Sequence, residues 1–364
     1  MKPAGPISIR LHAREARPAE TRIWIGPGIL EEAGARLFSA SGRFALVSCE
    51  AAHRPAETVR RSLGGRLLAD VFLDDRERQK NLESVQGIAD RLLSAGLRRD
   101  DAIVAVGGGV VSDVAGFAAA ILLRGVAWNA VPTTSGAMAD AAIGGKTGVD
   151  HAAGKNLLGA FHPPRVVLID PRALETLSER DFRAGLVEAF KAAWIADEAL
   201  ARRAAAAIDR ILAREEPALL DLLAGAARVK AEIVESDPRE GDRRRLLNFG
   251  HTLGHALEAA GGYEKLRHGE AVAWGIAAAL ELSGRRGGLS PEDAGAVRKV
   301  LARLGPFPEP DRNPASLAPY LERDKKATAR GIAAVLLDAL GRARVEESVP
   351  AAEWLSAAAI MSLK

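Results

Sequence analysis

Only one cysteine, Cys49, occurs in the 364 residues. No disulfide can form within the chain, which fits a reducing compartment and the expectation of a cytoplasmic protein. Aromatic residues are scarce at 4%, so apolar contacts must come mostly from Ala, Leu, Val and Ile. Neither sign of charge dominates: 50 basic against 47 acidic side chains leave +3. The pI near 9.1 taken alone would admit a nucleic-acid partner. The basic residues, however, are spread along the chain without aromatic interleaving, so none is expected. A short run such as Arg243, Arg244 and Arg245 reads as a solvated face. Long hydrophobic runs are also missing. VAGFAAAILL (114–123) is the longest and falls far short of a bilayer span. The opening MKPAGPISIRLHAREARP lacks the apolar stretch of a signal peptide. No membrane association is expected, and no internal repeat or low-complexity segment stands out.

Hydrophobic residues make up 48% and charged residues 27%, an ordinary globular balance, and the length exceeds one small core, so two domains are expected. Strand-like runs are ISIRLHA (7–13), RIWIGPG (22–28), RFALVSCE (43–50), ADVFLDD (69–75), DAIVAVGGG (101–109), AWNAVPTT (127–134) and RVVLIDP (165–171). Helical patterns lie between several of them, for example NLESVQGIADRLLSAG (81–96), which ends in glycine. Such alternation predicts an α/β domain with a mostly parallel sheet over residues 1–173. From about 174 the chain turns Ala-, Leu-, Glu- and Arg-rich with helical periodicity, so residues 174–364 are expected to be helical. One late strand-like patch, GIAAVLLDALGRARVEESV (331–349), is the exception. A cleft between two such halves is a common place for a ligand.

DAIVAVGGGVVSDVAGFAAAIL reads as a buried strand, a glycine turn and a helix. Gly107, Gly108 and Gly109 let backbone approach a pyrophosphate, and the helix N-terminus offers unpaired N–H groups. Glycine-rich strand–helix turns also occur for packing alone, and this one is not G-x-G-x-x-G. Pro132-Thr133-Thr134 adds two hydroxyls at the end of the next strand. DAAIGGKTGVDHAAGKN (140–156) then reads as a loop of glycines and separated lysines, Lys146 and Lys155, suited to an anion.

GLVEAFKAAWI (185–195) sets Glu188 and Lys191 three apart in an otherwise apolar stretch. An isolated pair at that spacing is ordinarily an exposed ion pair. Here Leu186, Val187, Phe190 and Trp194 imply burial, and buried charge must be paired or bound to metal. Lys230, Arg244, Asn248, His251, His255 and His268 follow. NFGHTLGHALE (248–258) puts His251 and His255 about one helical turn apart. The candidate metal ligands are therefore Glu188 and three histidines, His251, His255 and His268. A catalytic zinc takes three protein ligands and keeps one position open. No glutamate directly follows His251, which speaks against a zinc protease.

VGGGVVSDVAGFAA, RGVAWNAVPTT, GGKTGVDHAAGKNLLGAFHPP, GLVEAFKAAWI, LLNFGHTLGHALE, HGEAVAWG and RDKK, from about Glu77 to residues 323–326, resemble the 3-dehydroquinate synthase family of sugar-phosphate cyclases. The resemblance implies a dehydroquinate synthase-like fold, NAD on the N-terminal domain, zinc (or another divalent cation such as Co2+) in the cleft, and usually a homodimer. It implies Glu188, His251 and His268 as zinc ligands and makes His255 a hydrogen-bonding residue beside them. Implied nucleotide contacts are Glu77, Lys80, Gly108, Gly109, Asp113, Thr133, Thr134, Asp140, Lys146, Lys155, Asn156 and Thr176, with Lys155 and Asn156 near the nicotinamide. Lys146, Lys191, Lys230, Arg244, Asn248 and His255 are the implied catalytic groups. The substrate set adds Asp140, Arg124, Asn156 and Lys326, with Arg124 and Lys326 on the phosphate side.

The implied substrate is a linear seven-carbon keto-acid sugar phosphate on the route to aromatic amino acids. In the cyclic hemiketal form of this substrate NAD+ oxidises a ring hydroxyl to a ketone, phosphate leaves by β-elimination, NADH reduces the ketone back, the ring opens, and an intramolecular aldol closes a carbocycle. The leaving phosphate can serve as its own base. Some positions depart from the family. Cys49 stands where Asp or Asn usually binds the adenosine ribose, which predicts weaker cofactor binding. SGAMAD (135–140) replaces a more hydrophobic segment, and Asp150 and Ala193-Trp194 also differ. Alternatives are another sugar-phosphate cyclase and a metal-dependent alcohol dehydrogenase of the glycerol dehydrogenase type, which would accumulate NADH. A catalytically dead NAD-binding scaffold would have no physical need for three buried ligands.

Overall fold

The computed structural model describes residues 20–152, 154–322, 327–328 and 331–363. The strand expected at 7–13 and Lys326 lie outside the described residues. Eleven strands are described: β1 (Arg22–Ile25), β2 (Phe44–Cys49), β3 (Leu67–Leu73), β4 (Ala102–Gly107), β5 (Ala127–Pro132), β6 (Lys146–His151), β7 (Gly154–Phe161), β8 (Val166–Ile169), β9 (Ala327–Thr328), β10 (Gly331–Ala339) and β11 (Arg342–Val349).

Six strands form one parallel sheet in the order β1-β8-β5-β4-β2-β3. Every residue of β2 and β4 is buried, because a parallel sheet is covered on both faces; hence their unbroken apolar runs. Asn129, buried in β5, is satisfied by the backbone of Phe38 at 3.1 and 3.0 Å. The chain winds outward from β2 to β3, then returns to place β4 on the other side of β2. That reversal opens a crevice at the C-terminal strand ends, where doubly wound sheets bind ligands. Register carries Gly107 of β4 opposite Pro132 of β5, so the glycine turn and Thr133-Thr134 share one edge. The Thr133 amide donates to the Gly107 carbonyl at 2.9 Å.

The stretch 140–156, expected to be a loop, is for the most part an antiparallel hairpin of β6 and β7, which runs on to Phe161. Gly148 pairs with Gly159, and a Cβ on Gly159 would lie 2.2 Å from the Thr147 carbonyl. The glycines serve close backbone approach between strands as well as any anion. Before this hairpin, Ala137–Ala141 forms a π-helical turn that presents Asp140, a feature frequent at functional sites.

Beyond Thr176 the described chain is largely helical. Helix Glu179–Ala196 is buried almost continuously from Ala184 to Ile195 and packs on Glu216–Ser236 and His268–Arg285. The twin-histidine helix, His251–Ala260, lies along His268–Arg285. β10 and β11 form an antiparallel hairpin with β9 on its edge, which resolves the late strand-like patch into two strands. That hairpin packs on the His268 helix through β10, as does the helix Ala351–Ile360.

Candidate active site

The glycine turn opens helix Gly109–Ile121. A Cβ on Gly107 would fall 2.6 Å from Val111, and one on Gly108 would press Thr134 at 3.1 Å. Gly109 would meet only Ala141, at 3.6 Å. Packing therefore accounts for the first two glycines, and the third leaves room for a ligand. Nearby, Lys80 is buried against Asp113 at 2.6 Å and donates to Asn156 Oδ1 at 2.5 Å. Burial would lower the Lys80 pKa, but Asp113 outweighs it and holds the ammonium above its usual range. Lys155 pairs with Glu77 at 2.8 Å, and Asp150 receives the Asn156 amide at 2.8 Å. Glu77, Lys80, Asp113, Lys155 and Asn156 are thus brought together on the sheet side of the cleft. Thr176 sits exposed on a 3-10 turn after β8, joined to this group by no hydrogen bond.

On the helical side, Glu188 is 4% exposed, and neither carboxylate oxygen accepts a hydrogen bond. Lys191 Nζ stands 2.6 Å from Oε2 as an ion pair, off the direction a hydrogen bond needs, and donates instead to the Leu247 carbonyl at 2.5 Å. His251 Nε2 and His268 Nε2 each lie 3.7 Å from Glu188 Oε1. Three donor atoms of Glu188, His251 and His268 fall within 4.8 Å of one another. A buried carboxylate oxygen, Oε1, that accepts no hydrogen bond and faces two imidazole nitrogens fits a divalent cation with nitrogen and oxygen ligands.

The supporting contacts set the imidazoles. The Nδ1 of His251 faces the Phe249 carbonyl at 3.2 Å, so a proton held there leaves the Nε2 lone pair toward Glu188. Burial, helped by Lys191, drives its pKa well below 6.5, which keeps the ring neutral and able to ligate. His268 keeps an exposed edge; partial desolvation would lower its pKa, but Glu258, 3.2 Å from its Nδ1, outweighs this and raises it. His255 is exposed, with its ring centroid 5.3 Å from that of His251 and 6.0 Å from that of His268.

Two glycines let these elements meet. Gly250 adopts φ 79° just before His251, a conformation glycine enters without strain. Gly269, next to His268, approaches so closely that a Cβ would sit 1.8 Å from the Ala184 carbonyl.

Cations surround this centre. Buried Lys230 donates to Asp140 Oδ1 at 2.5 Å. Burial lowers the Lys230 pKa, while Lys230 and Lys191 overcome burial to pull Asp140 well below the carboxylate range. Arg244, 2% exposed, donates to the Pro238 and Gly144 carbonyls at 2.6 and 3.3 Å. Among the described residues its guanidinium pairs with no carboxylate, and burial lowers its pKa. A buried cation left so calls for an anionic ligand. Asn248 donates to Glu240 Oε1 at 2.9 Å, and exposed Lys146 pairs with Glu240 Oε2.

Arg124 is not brought to this group. It follows the far end of the glycine-turn helix, beside the start of β5. The 6 residues of β4 separate that edge from the glycine turn by about 20 Å. Two carboxylates escaped the sequence reading. Glu240 lies in an irregular arginine-rich loop at φ 62°, with no periodicity to flag it. Glu258 looks like a helix-surface residue, yet it is 3% exposed; the signal was its three-residue spacing from His255.

A switch-point crevice with a glycine turn, facing a Glu-His-His set on helices, defines a dinucleotide- and metal-dependent enzyme of two-half architecture. Family models for the 3-dehydroquinate synthase N-terminal and C-terminal regions match residues 70–184 and 185–327. A 3-dehydroquinate synthase of Dichelobacter nodosus is 40% identical over 335 residues, 91% of each chain. The 2-epi-5-epi-valiolone synthase of Streptomyces hygroscopicus, solved with NAD+ and Zn2+, superposes with TM-score 0.85 at 28% identity over 95% of this chain and 98% of that one. A 2-deoxy-scyllo-inosose synthase solved with carbaglucose-6-phosphate, NAD+ and Co2+ gives 0.79 at 25% identity, over 93% of this chain and 96% of that one. The chain belongs to the 3-dehydroquinate synthase family.

Proposed function

We propose that the protein converts 3-deoxy-D-arabino-heptulosonate 7-phosphate into 3-dehydroquinate and phosphate, with NAD and a divalent cation, zinc or cobalt, as cofactors. The observation that carries this is Glu188, whose buried Oε1 accepts no hydrogen bond and faces the Nε2 atoms of both His251 and His268, while Oε2 is ion-paired with Lys191. Glu188, His251 and His268 are the proposed metal ligands. When bound, NAD+ exchanges a hydride with the substrate carbon and the cation polarises the hydroxyl there.

The remaining chemistry falls to the chain's own side chains. Arg244 is suited to a carboxylate, because its guanidinium fork is buried and, among the described residues, forms no ion pair with an acidic side chain. Lys146, Lys191 and Lys230 balance the substrate's negative charge. Asp140 holds Lys230 in place. Asn248 and Glu240 orient Lys146, and His255, Asn156 and Lys326 are assigned to the phosphate side. Arg124 is left out of this set. Glu77, Lys80, Gly108, Gly109, Asp113, Thr133, Thr134, Lys155, Asn156 and Thr176 are the proposed cofactor contacts. The sheet-bearing half over residues 1–173 would carry the dinucleotide and residues 174–364 the metal. No helix among the described residues is long and apolar enough to cross a membrane. A cytoplasmic homodimer without nucleic-acid or membrane partners is proposed.

The test is a stoichiometric assay. Protein supplied with NAD+, Zn2+ and the keto-acid phosphate should release inorganic phosphate while absorbance at 340 nm stays flat. NADH rising in step with phosphate would overturn the cyclase reading in favour of a dehydrogenase.

A further inference from the structure

We propose that Glu258 is the positioning carboxylate of the metal ligand His268, and that its second oxygen, by holding Lys155, ties the metal set to the dinucleotide side of the cleft. The inference rests on Glu188, His251 and His268 being the metal ligands.

Glu258 lies three residues after His255 and seven after His251, so all three occupy one face of their helix. At 3% exposure, an ionised carboxylate needs partners, and it has two. Oε2 faces His268 Nδ1 at 3.2 Å, and Oε1 faces Lys155 Nζ at 3.2 Å. The opposite ring nitrogen, Nε2, faces Glu188 Oε1. His268 is therefore gripped at Nδ1 by one carboxylate and aimed through Nε2 at another. That is the arrangement by which a ligating imidazole has its tautomer and orientation fixed and its basicity raised.

His255, Glu258 and His268 also fall within 4.8 Å of one another and could be read as a second ligand group. Hydrogen bonding decides between the two. Both oxygens of Glu258 already face nitrogen donors, whereas neither oxygen of Glu188 accepts a hydrogen bond. A cation gains more from Glu188, and Glu258 is left to steer the ring. Lys155 comes from β7 and reaches on to Glu77 at 2.8 Å, with its ammonium 4.6 Å from the centre of the Tyr263 ring. The path Glu188–His268–Glu258–Lys155–Glu77 thus joins the helical half to the sheet half through contacts of 3.7 Å or less.

The test measures metal affinity rather than turnover. Chelator-stripped full-length protein is titrated with Co2+ and Zn2+ against a competing chelator. Glu258→Gln, which keeps the side chain's size, should bind about 10–100-fold more weakly with the wild-type Co2+ absorption spectrum. Unchanged affinity in Glu258→Gln beside lost affinity in His268→Ala overturns the positioning role alone. Loss as complete as in Glu188→Ala, with an altered Co2+ spectrum in residual complex, makes Glu258 a ligand and also overturns it. A wild type that binds neither cation, or a His268→Ala protein that binds normally, defeats the underlying metal set. Cadmium-113 NMR of 15N-labelled wild type needs no variant. Coupling should appear at His268 Nε2 with Nδ1 protonated, and coupling at Nδ1 refutes the assignment.

Discussion

Cys49 ends β2 at the edge where the dinucleotide is proposed to lie, yet its side chain is turned in, at 1% exposure. Burial, with Asp75 adding to it, pushes the thiol up to about 12, against the pull of the Ala52 and Ala51 amides. At pH 8 the thiolate is then on the order of one part in ten thousand, and the thiolate is the reactive form. The native protein should give no thiol reaction with Ellman's reagent at pH 8 over minutes, and one thiol per chain after denaturation. Rapid labelling of the native chain would mean the strand end is open. The same burial bears on the expected loss of a ribose contact, since a sulfur this enclosed presents little surface to a sugar.

Among the elements, the loop that presents Glu240 and Arg244 is gathered from within by the Asp237 carboxylate. Asp237 accepts the amides of Asp242, Gly241 and Arg244 at 2.8, 2.9 and 3.0 Å, and these bonds lower its pKa from 3.8 to about 2. A depressed folded value means the contribution is present above the ordinary carboxylate pKa and disappears as pH falls through about 2. Asp237→Asn removes that charge at neutral pH. Amide exchange at residues 241, 242 and 244 should quicken about tenfold, and KM should rise more than kcat falls. Exchange rates equal to wild type would show that the loop is held otherwise. The β6–β7 hairpin shows why some elements were not legible. Its residues alternate poorly, glycines occupy Gly148, Gly154 and Gly159, and no tight-turn pair marks its tip, so it reads as a glycine loop. By contrast, β2 and β4 were plain in the sequence because burial on both faces leaves an apolar run nothing else imitates. The helix at 81–96 was equally plain, and the structure begins it after Asn81, whose side chain accepts the Ser84 amide at 3.0 Å.

Across the whole molecule the two proposed cofactors belong to different halves. All three proposed metal ligands sit on helices after residue 178, whereas the glycine turn and Lys80–Asp113 belong to the turns and helix that border the parallel sheet. Removing metal with a chelator should therefore abolish turnover while NADH still binds, measured by its fluorescence, within about tenfold of the loaded protein. A much larger loss would mean the Lys155–Glu258 bridge carries more than orientation. The two-half plan was readable from the shift in composition near residue 174, and Glu188, His251 and His268 could be named through family likeness. Spacing by itself pointed to His251 with His255. Three-dimensional packing is what brings His268, arriving from the next helix, to 3.7 Å from Glu188. Nor could the chain show that Arg124 stands at the opposite end of the strands, because that depends on which way a helix runs across the sheet.

Gly269 has a consequence for the protein's history. With the Ala184 carbonyl 1.8 Å from where a methyl group would begin, even alanine would have to lever two helices apart and carry His268 away from Glu188. Sequence drift, random libraries and consensus redesign should all find this position frozen, although residue 269 offers no side chain to the site.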